Sequence, residues 1–560
     1  MEQARLFIAI GISFLIFFLW SMFFAAEPPE KNKEALQQSH PKEQVANQDG
    51  SALKSNEKTI TETESLPKKS EFDPSIDRPA KKVQVETKLF KMILSEKGGA
   101  ITSAVLKKYH EQVQKTSPMK ELIHKEAAAG TLLSYLFEQK PQNLSQAVFS
   151  VDYHQDLLEV KDQPEQVRFQ YRTPSNLTIE KIYQFYPDSY LFDLRIILKN
   201  DGEQVYQGQL GLELQNALVK GAGRYSFEGP SALINNKLEQ ISIKNIPEEG
   251  DVSGQIQWLG IEDRYFMTSI IPPENSQGHM KLFSDENKLG NQVVLDTGGL
   301  SPNEKRTYNF KIFMGPKSYS LLKSYNNKLD RAINFGWFDF LAKPCLWFMN
   351  FIHGYIPNYG IAIVILTVVT RAVFWPLAHK SYKSMGEMRK LQPLMQEIRE
   401  KYKDDKTRMN QEMMALYRTY KVNPMGGCLP MLIQLPVFFA LYRMLYSAIE
   451  LRHAPFFGWI TDLSAPDRLF HFSFTIPLID KLMDPPIGIP VLTLIMGATM
   501  LIQQKMTPQA GDPTQAKIMM LMPVIFTFIF INLSSGLVLY WMVSNIFSIA
   551  QQYYTQKKTA

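Results

Sequence analysis

The sequence has only two cysteines among 560 residues, Cys345 and Cys428, and they fall in different regions of the chain. A disulfide framework is therefore excluded, and no Cys/His spacing indicates a metal site. The H-E-x-x-H, phosphate-loop and G-x-S-x-G motifs are also absent, as are repeated carboxylate pairs. We therefore expect no metal, no other cofactor and no small-molecule substrate.

Charge is missing from a long segment near the N-terminus. Residues 6–26 contain no charged side chain and are long enough, at about 1.5 Å per residue, to span a bilayer core. We predict that residues 1–26 form an uncleaved transmembrane anchor. The alternative is a cleaved signal peptide, whose apolar region is normally shorter. Residues 27–80 are polar and poor in aromatic side chains, which predicts a disordered tether.

Short alternating apolar runs replace this polar composition from residue 81 onward. Four such runs, divided by glycine- and proline-rich turns, are Val167–Tyr171, Leu177–Tyr186, Leu191–Leu198 and Val293–Asp296. Strand-length runs with this punctuation predict a mostly β domain, a sandwich, over residues 81–318. Helical spacing and an aromatic cluster then predict an interfacial amphipathic helix over residues 319–345, with a packed helix as the alternative.

Five further hydrophobic segments lie within residues 355–555, and together with the anchor they make six predicted spans. They are Tyr359–Ala378, Met425–Ala448, Ile487–Gln504, Ile518–Leu533 and Gly536–Ala550. Residues 379–422 carry eleven Lys or Arg against six Asp or Glu, whereas residues 450–486 carry only three Lys or Arg. The positive-inside rule therefore places residues 379–422 and both termini in the cytoplasm, and the β domain outside.

The basic segment 379–424 is predicted to be a cytoplasmic helical hairpin, with a kink at Pro393. Its methionines recur at helical spacing, which favours two interpretations equally: two helices that pack on each other, or an adaptable docking surface. The candidate docking residues are Met385, Arg389, Met395, Arg399 and Met413.

No Asp or Glu lies in the uncharged stretch 6–26 or in the five later predicted spans, yet Arg371 lies inside the second span. A guanidinium at bilayer depth costs roughly 2.5–3.5 kcal/mol on insertion scales, and it needs water, carbonyls or an anion nearby. Snorkelling is the simpler interpretation. Polar residues predicted at a similar depth favour a wet cavity instead; they are Thr367, Thr370, Gln434, Ser544 and Asn545. Arg443 lies near the outer end of its span, where snorkelling is sufficient.

Several motifs in this half of the chain resemble the YidC membrane-protein insertase family. They include Leu366-Thr-Val-Val-Thr-Arg371, Trp375-Pro376-Leu377, Val422-Asn-Pro-Met-Gly-Gly-Cys-Leu-Pro430, Gln504-Lys505-Met506, Met522-Pro523-Val524 and Ser535-Gly536-Leu537-Val538-Leu539-Tyr540-Trp541. The resemblance is strong over residues 335–555. Upstream, the anchor, tether and outer domain are similar in layout to the Gram-negative members.

The resemblance implies an insertase that is not an enzyme: a bundle of six transmembrane helices, five of them forming the insertase core, with a periplasmic β-supersandwich and a cytoplasmic hairpin. It implies that Arg371 is the cation of a hydrophilic groove in the bacterial inner membrane. It also implies an apolar surface, here called the slide, along which the hydrophobic helix of a client (a protein being inserted) moves into lipid. Candidates for the slide are Leu435, Phe438, Phe526 and Trp541. The implied partners are nascent membrane proteins, the Sec translocase with its accessory subunits, the ribosome or signal recognition particle at the hairpin, and lipids.

Three other functions compete with this one at the level of sequence. A secondary transporter would show inverted repeats and several ionisable groups at the midplane, and we detect neither. A membrane-bound carbohydrate enzyme would require a functional carboxylate pair in the outer domain. A structural scaffold for membrane complexes is compatible with an insertase.

Overall fold

The computed structural model describes residues 79–114, 116–124, 130–137, 142–153, 155–217, 226–285, 287–420, 422, 429–472, 483–484, 487–507 and 513–559. The predicted N-terminal anchor and nearly all of the tether lie outside these residues. The described chain has a β-rich part followed by a helical part.

The β-rich part ends at residue 316, close to the predicted boundary. Its first strands are β1 Lys82–Glu86, β2 Phe90–Ser95, β3 Ala100–His110, β4 Met119–Glu121, β5 Leu133–Phe137, β6 Gln142–Asn143, β7 Ser150–Val151, β8 Leu157–Glu159, β9 Glu165–Arg172 and β10 Leu177–Phe185. The others are β11 Leu191–Asn200, β12 Gln209–Ala217, β13 Gly229–Ile234, β14 Lys237–Gln240, β15 Asp251–Glu262, β16 Phe266–Ile271, β17 Gln277–Ser284, β18 Lys288–Asp296 and β19 Lys305–Pro316. A short helix, α1 Ile246–Glu249, precedes β15.

Two sheets form this domain. The smaller has the order β4-β3-β2-β1-β8, and the larger follows the path β6-β5-β12-β18-β17-β15-β16-β19-β11-β10-β9-β7. They pack face to face where the ring of Phe90 meets those of Phe185 and Phe192, with centroids 6.1 and 6.3 Å apart. All four predicted strand runs are strands, and residues alternate between buried and exposed along β9 and β11, as expected for strands with one face on a core.

The helical part contains ten helices among the described residues. They are α2 Tyr319–Ser324, α3 Asp339–Tyr355, α4 Tyr359–Val373, α5 Trp375–Lys390, α6 Gln392–Lys401, α7 Lys406–Thr419, α8 Leu429–Ser447, α9 Val491–Met506, α10 Pro513–Phe530 and α11 Ser535–Thr559. Helix α11 packs against α4, α5, α8 and α9, so it is the central helix of the bundle.

The segment predicted as one interfacial helix, 319–345, is divided. Left-handed backbone at Asn326, Lys328 and Gly336 interrupts it, and single 3₁₀ turns at Leu329–Ala332 and Gly336–Phe338 lie between α2 and α3. Helix α3 then extends to Tyr355, ten residues beyond the predicted end. A left-handed residue cannot continue a right-handed helix, which explains the breaks.

Two predicted spans also differ from single straight helices. The second bends by 65° between α4 and α5, at Phe374, where Pro376 occupies the first turn of α5. The fourth begins with a short strand, β21 Ile487–Ile489, which pairs with β20 Leu469–Phe472 before α9 starts. Within the described residues, no unbroken helix is both long and apolar enough to cross a bilayer, while the bent pair α4–α5 meets that test together. The count of six spans stays a prediction.

Candidate functional site

Arg371 lies in the last turn of α4. The helix begins at an Asn358 cap, whose side-chain oxygen accepts a hydrogen bond from the Ile361 amide at 3.1 Å, and it continues through an apolar run. Arg371 is twelve residues after the first residue of the helix, or roughly 18 Å along its axis. The carboxyl end of a helix carries partial negative charge, which favours a cation in its last turn.

The guanidinium of Arg371 is directed at one side chain on the central helix. Its Nε donates to the Ser544 hydroxyl at 2.8 Å, and its Nη2 donates to the same oxygen. Gln434 of α8 also donates its Nε2 to that oxygen, at 3.3 Å. The Tyr540 side chain is within hydrogen-bonding range of both Gln434 and Ser544. Helices α4, α8 and α11 are therefore connected through one buried hydroxyl.

This cation has no acidic partner among the residues that the structure describes. A guanidinium has five N–H donors and a serine oxygen has two lone pairs, so Ser544 does not exhaust the donors that Arg371 offers. The side chain keeps the capacity to donate to water, to a carbonyl or to a carboxylate.

The other predicted groove residues are near the site but make different hydrogen bonds. Thr367 and Thr370 bond within α4, to the carbonyls of Ile363 at 2.6 Å and Thr367 at 2.9 Å. Asn545 donates to Thr499 of α9 at 3.1 Å. The structure thus brings Arg371, Gln434 and Ser544 together, whereas Thr367, Thr370 and Asn545 satisfy their polar groups elsewhere.

The sequence prediction missed a polar stripe on α11 that continues from Ser544 toward the hairpin. Ser548, Gln551 and Thr555 follow at helical spacing and are all buried. Gln551 donates to the Trp375 carbonyl at 3.1 Å, at the α4–α5 bend, and Thr555 lies 3.1 Å from the ring of His379. The signal was their spacing of three and four residues from Ser544, but the predicted span ended at Ala550.

Three of the four predicted slide residues form one aromatic cluster. The Trp541 ring of α11 lies 4.7 Å from Phe438 of α8 and 6.4 Å from Phe526 of α10, and Phe530 completes the group at 5.1 Å. Phe438 is buried, so its ring is part of the packing between helices. Leu435 is half-buried, one residue after Gln434.

Exposed apolar side chains cover the outside of the same helices. They are Val368, Val369 and Val373 on α4, Leu494, Ile495 and Ile502 on α9, Leu521, Val524 and Phe528 on α10, and Ile546 on α11. Exposed apolar side chains on several neighbouring helices are suited to contact with lipid or with another protein.

The candidate docking residues of the hairpin divide into two groups. Met395 is buried in a small core between α6 and α7, against which Met413 packs, and Met385 belongs to a second cluster with Ala378 and Tyr382. Arg389 is exposed and Arg399 half-buried. The break between α5 and α6 at Leu391, with Pro393 in the first turn of α6, confirms the predicted kink. Packing of the two helices on each other accounts for the buried methionines.

The β-rich part and the helical part match two family models. The model described as "YidC periplasmic domain" covers residues 82–348, and the model described as "60Kd inner membrane protein" covers residues 351–560. Together they define the class of this protein: an inner membrane protein with a periplasmic β-rich domain and a helical C-terminal region.

Individual relatives share nearly the whole length. The membrane protein insertase YidC of Syntrophobacter fumaroxidans is 39% identical over 572 residues, covering 99% of this chain and all of the relative. That of Syntrophus aciditrophicus is 42% identical over 482 residues and 85% of each chain. A solved YidC insertase with its first transmembrane domain resolved is 20% identical, covers 85% of this chain and 93% of its own, and has a TM-score of 0.37. The chain belongs to the YidC family of membrane protein insertases.

Proposed function

We propose that this chain moves hydrophobic segments of newly made proteins from the cytoplasm into the inner membrane through the cavity around Arg371. The observation that carries the proposal is a cation inside a helical bundle, connected to Gln434 through Ser544 and without a carboxylate partner among the described residues. A protein that uses Arg371 only for stability would gain from an acidic partner, because burying an unpaired charge is costly.

The cavity lowers the cost of admitting the polar tail that precedes a client helix. A carboxylate or backbone carbonyl of that tail accepts the hydrogen bonds that Ser544 leaves unused, and the polar stripe of α11 extends the path toward the cytoplasmic hairpin. The apolar helix of the client meanwhile contacts the aromatic and aliphatic side chains of α8, α10 and α11, and burial of its apolar surface in lipid drives release. This partitioning requires no nucleotide and no cofactor.

The remaining topology and partners are part of the same proposal. We assign residues 1–26 to a transmembrane anchor and 27–80 to a periplasmic tether, with both termini in the cytoplasm. The basic residues Arg389, which is exposed, and Arg399, which is half-buried, suit contact with ribosomal RNA or the signal recognition particle, because cations on one segment attract phosphate. The chain acts alone or with the Sec translocase.

Substitution of Arg371 tests the proposal. We expect Arg371→Ala to reduce insertion of a small client with an acidic tail about tenfold or more, which corresponds to at least ~1.4 kcal/mol. Arg371→Lys should keep most of the activity, because the charge is retained. The measurement is protease protection of the client's tail after synthesis in the presence of proteoliposomes.

Arg443→Ala is the matched control, since Arg443 is a half-buried cation of α8 that lies beside Gly336 and away from Ser544. It should insert the client at the normal rate. If Arg371→Ala inserts every client as well as the parent does, the cavity mechanism is wrong. Among the described residues of the bundle, no contact favours the alternative functions of a secondary transporter or a structural scaffold.

A further inference from the structure

One short segment contacts the ends of three helices on the face that carries the β-rich domain. We call residues 462–468 the outer clasp. The face is identified by Arg264 of the β-rich domain, which donates to the Ser464 carbonyl at 3.4 Å and to the Tyr446 carbonyl at 2.8 Å. The clasp therefore lies at the opposite end of the bundle from the hairpin.

Asp467 of the clasp caps helix α9. Its buried carboxylate accepts hydrogen bonds from the backbone amides of Leu492 and Thr493, in the first turn of the helix, and from the Trp459 indole at 2.6 Å. The residue in the capping position is Pro490, whose side chain has no acceptor. Asp467 thus supplies from another segment the negative charge that a helix N-terminus favours.

Arg468 does the opposite at the end of helix α10. Its Nη1 donates to the Ile531 carbonyl at 2.8 Å, just beyond the last residue of the helix, and its Nη2 donates to the Asn532 side chain at 3.1 Å. A helix C-terminus carries partial negative charge and unpaired carbonyls, both of which favour a buried guanidinium there.

The first part of the clasp binds the start of the central helix α11. The amides of Ser535 and Gly536 donate to the carbonyls of Ala465 at 2.7 Å and Leu463 at 2.9 Å. The Ser535 hydroxyl donates to the Asp462 carbonyl at 2.7 Å. Glycine at position 536 favours this approach, because a Cβ atom there would lie only 3.0 Å from the Leu463 carbonyl oxygen.

We propose that Asp467 and Arg468 are positioning residues that hold the outer ends of α9 and α10 against α11 and so keep the cavity closed to the periplasm. Helix α11 carries Ser544, so the clasp also sets the position of the hydroxyl that contacts Arg371. Only the expected effect of the clasp on client insertion rests on the proposed function. Closure of the outer end can be measured by itself.

The test uses a reporter cysteine in the full-length chain, with Cys345→Ala and Cys428→Ser. Met496→Cys places the thiol on α9 at a side chain with no exposed surface. A membrane-impermeant maleimide applied to spheroplasts should label this thiol at least tenfold faster in Asp467→Ala or Arg468→Ala than in the parent. Rates within twofold of the parent would refute the proposal.

Two further variants test whether Asp467 and Arg468 act by binding helix ends. One tests whether the loss of any nearby charge has the same effect, and the other tests whether the two side chains act only as an ion pair. Arg452→Ala is the matched control: it removes a cation from the same outer loop, but Arg452 donates to the His110 and Glu111 carbonyls of the β-rich domain. It should label at the parent's rate. The double variant Asp467→Arg with Arg468→Asp should label as fast as the single variants, because each reversed charge then faces the wrong helix end. Labelling at the parent's rate in this double variant would indicate an ordinary ion pair and overturn the assignment.

Variants that fail to assemble are replaced by Asp467→Asn and Arg468→Lys, which keep hydrogen bonding and change only the charge or its shape. We expect labelling rates between those of the parent and the alanine variants; rates equal to the parent's would count against the proposal. Failure of the proposed function would appear instead as normal client insertion by Arg371→Ala, which does not change the accessibility of residue 496.

Discussion

At the scale of single residues, the Ser544 hydroxyl limits which further hydrogen bonds the Arg371 site can form. Three N–H groups of Arg371 and Gln434 are directed at its one oxygen. Since an oxygen with two lone pairs cannot satisfy three donors fully, the site is poised to bind one more acceptor.

Arg371, Gln434 and Ser544 were predicted from sequence because polar side chains are rare in apolar spans. Their hydrogen-bond partners were not predictable, because spacing along separate helices does not give their relative depth.

Glu213, in the β-rich domain, gives a prediction about pH. Burial raises the pKa of this carboxyl to about 8, from an ordinary value of 4.5. The folded domain therefore binds more protons than the unfolded chain between these values, so stability should be full below pH 4.5 and fall as the pH rises through 8. The slope should approach ~1.4 kcal/mol per pH unit. Urea unfolding of the domain at pH values of about 5, 6.5 and 8 measures this slope.

Glu213→Gln should flatten this slope, since the amide resembles the protonated acid and does not titrate. Glu203→Gln, at an exposed position, should leave the slope unchanged. An equal slope in Glu213→Gln and in the parent would assign the pH dependence to another group.

At the scale of elements, a helix or strand was predicted correctly where the local spacing of apolar residues determines its structure. Along most of strands β9 and β11, buried residues alternate with more exposed ones, and the sequence shows that alternation directly. The division of residues 319–345 depends on backbone angles at Asn326 and Lys328, which the apolar spacing does not report. The α4–α5 bend has a local cause in Pro376 and, in addition, a tertiary contact that sequence spacing does not show, the hydrogen bond from Gln551 to the Trp375 carbonyl.

The hairpin gives a prediction that separates its two interpretations. Met395→Ala removes a buried side chain between α6 and α7 and should destabilise the hairpin by about 2–5 kcal/mol. Hydrogen exchange of residues 392–419 should accelerate accordingly. Met414→Ala, on the exposed side of α7, should leave exchange unchanged. If Met414→Ala instead reduces ribosome binding at normal hairpin stability, the docking surface is the exposed methionine.

At the scale of the whole molecule, the β-rich domain is docked on the helical part, and its described residues make no hydrogen bond to Arg371, Gln434 or Ser544. Arg264 packs 3.5 Å from the centre of the Tyr446 ring, and Ser318 donates to Glu450 at 3.1 Å. Burial raises the pKa of the Glu450 carboxyl, so its uncharged form is favoured. An uncharged side chain suits this junction between the two parts, which is shielded from water. Arg371, Gln434 and Ser544 all belong to helices of the C-terminal region.

Deletion of most of residues 83–300 should therefore be tolerated. We expect such a chain to retain at least about half of the client insertion of the full-length protein, because the described hydrogen bonds among Arg371, Gln434 and Ser544 all lie within the helical part. Growth and client insertion after depletion of the native protein measure this. A loss as severe as that of Arg371→Ala would mean that the domain contributes to insertion directly.

Helix α11 follows every other described helix in chain order, yet it supplies Ser544, Ser548 and Gln551. Proteins are synthesised from the amino terminus, and their parts fold in that order. In a chain that is still on the ribosome, Arg371 is therefore synthesised before Ser544, and under the proposed function such a chain cannot yet insert a client. Under the proposed function, the protein therefore becomes active only after helix α11 has been synthesised and has packed against α4.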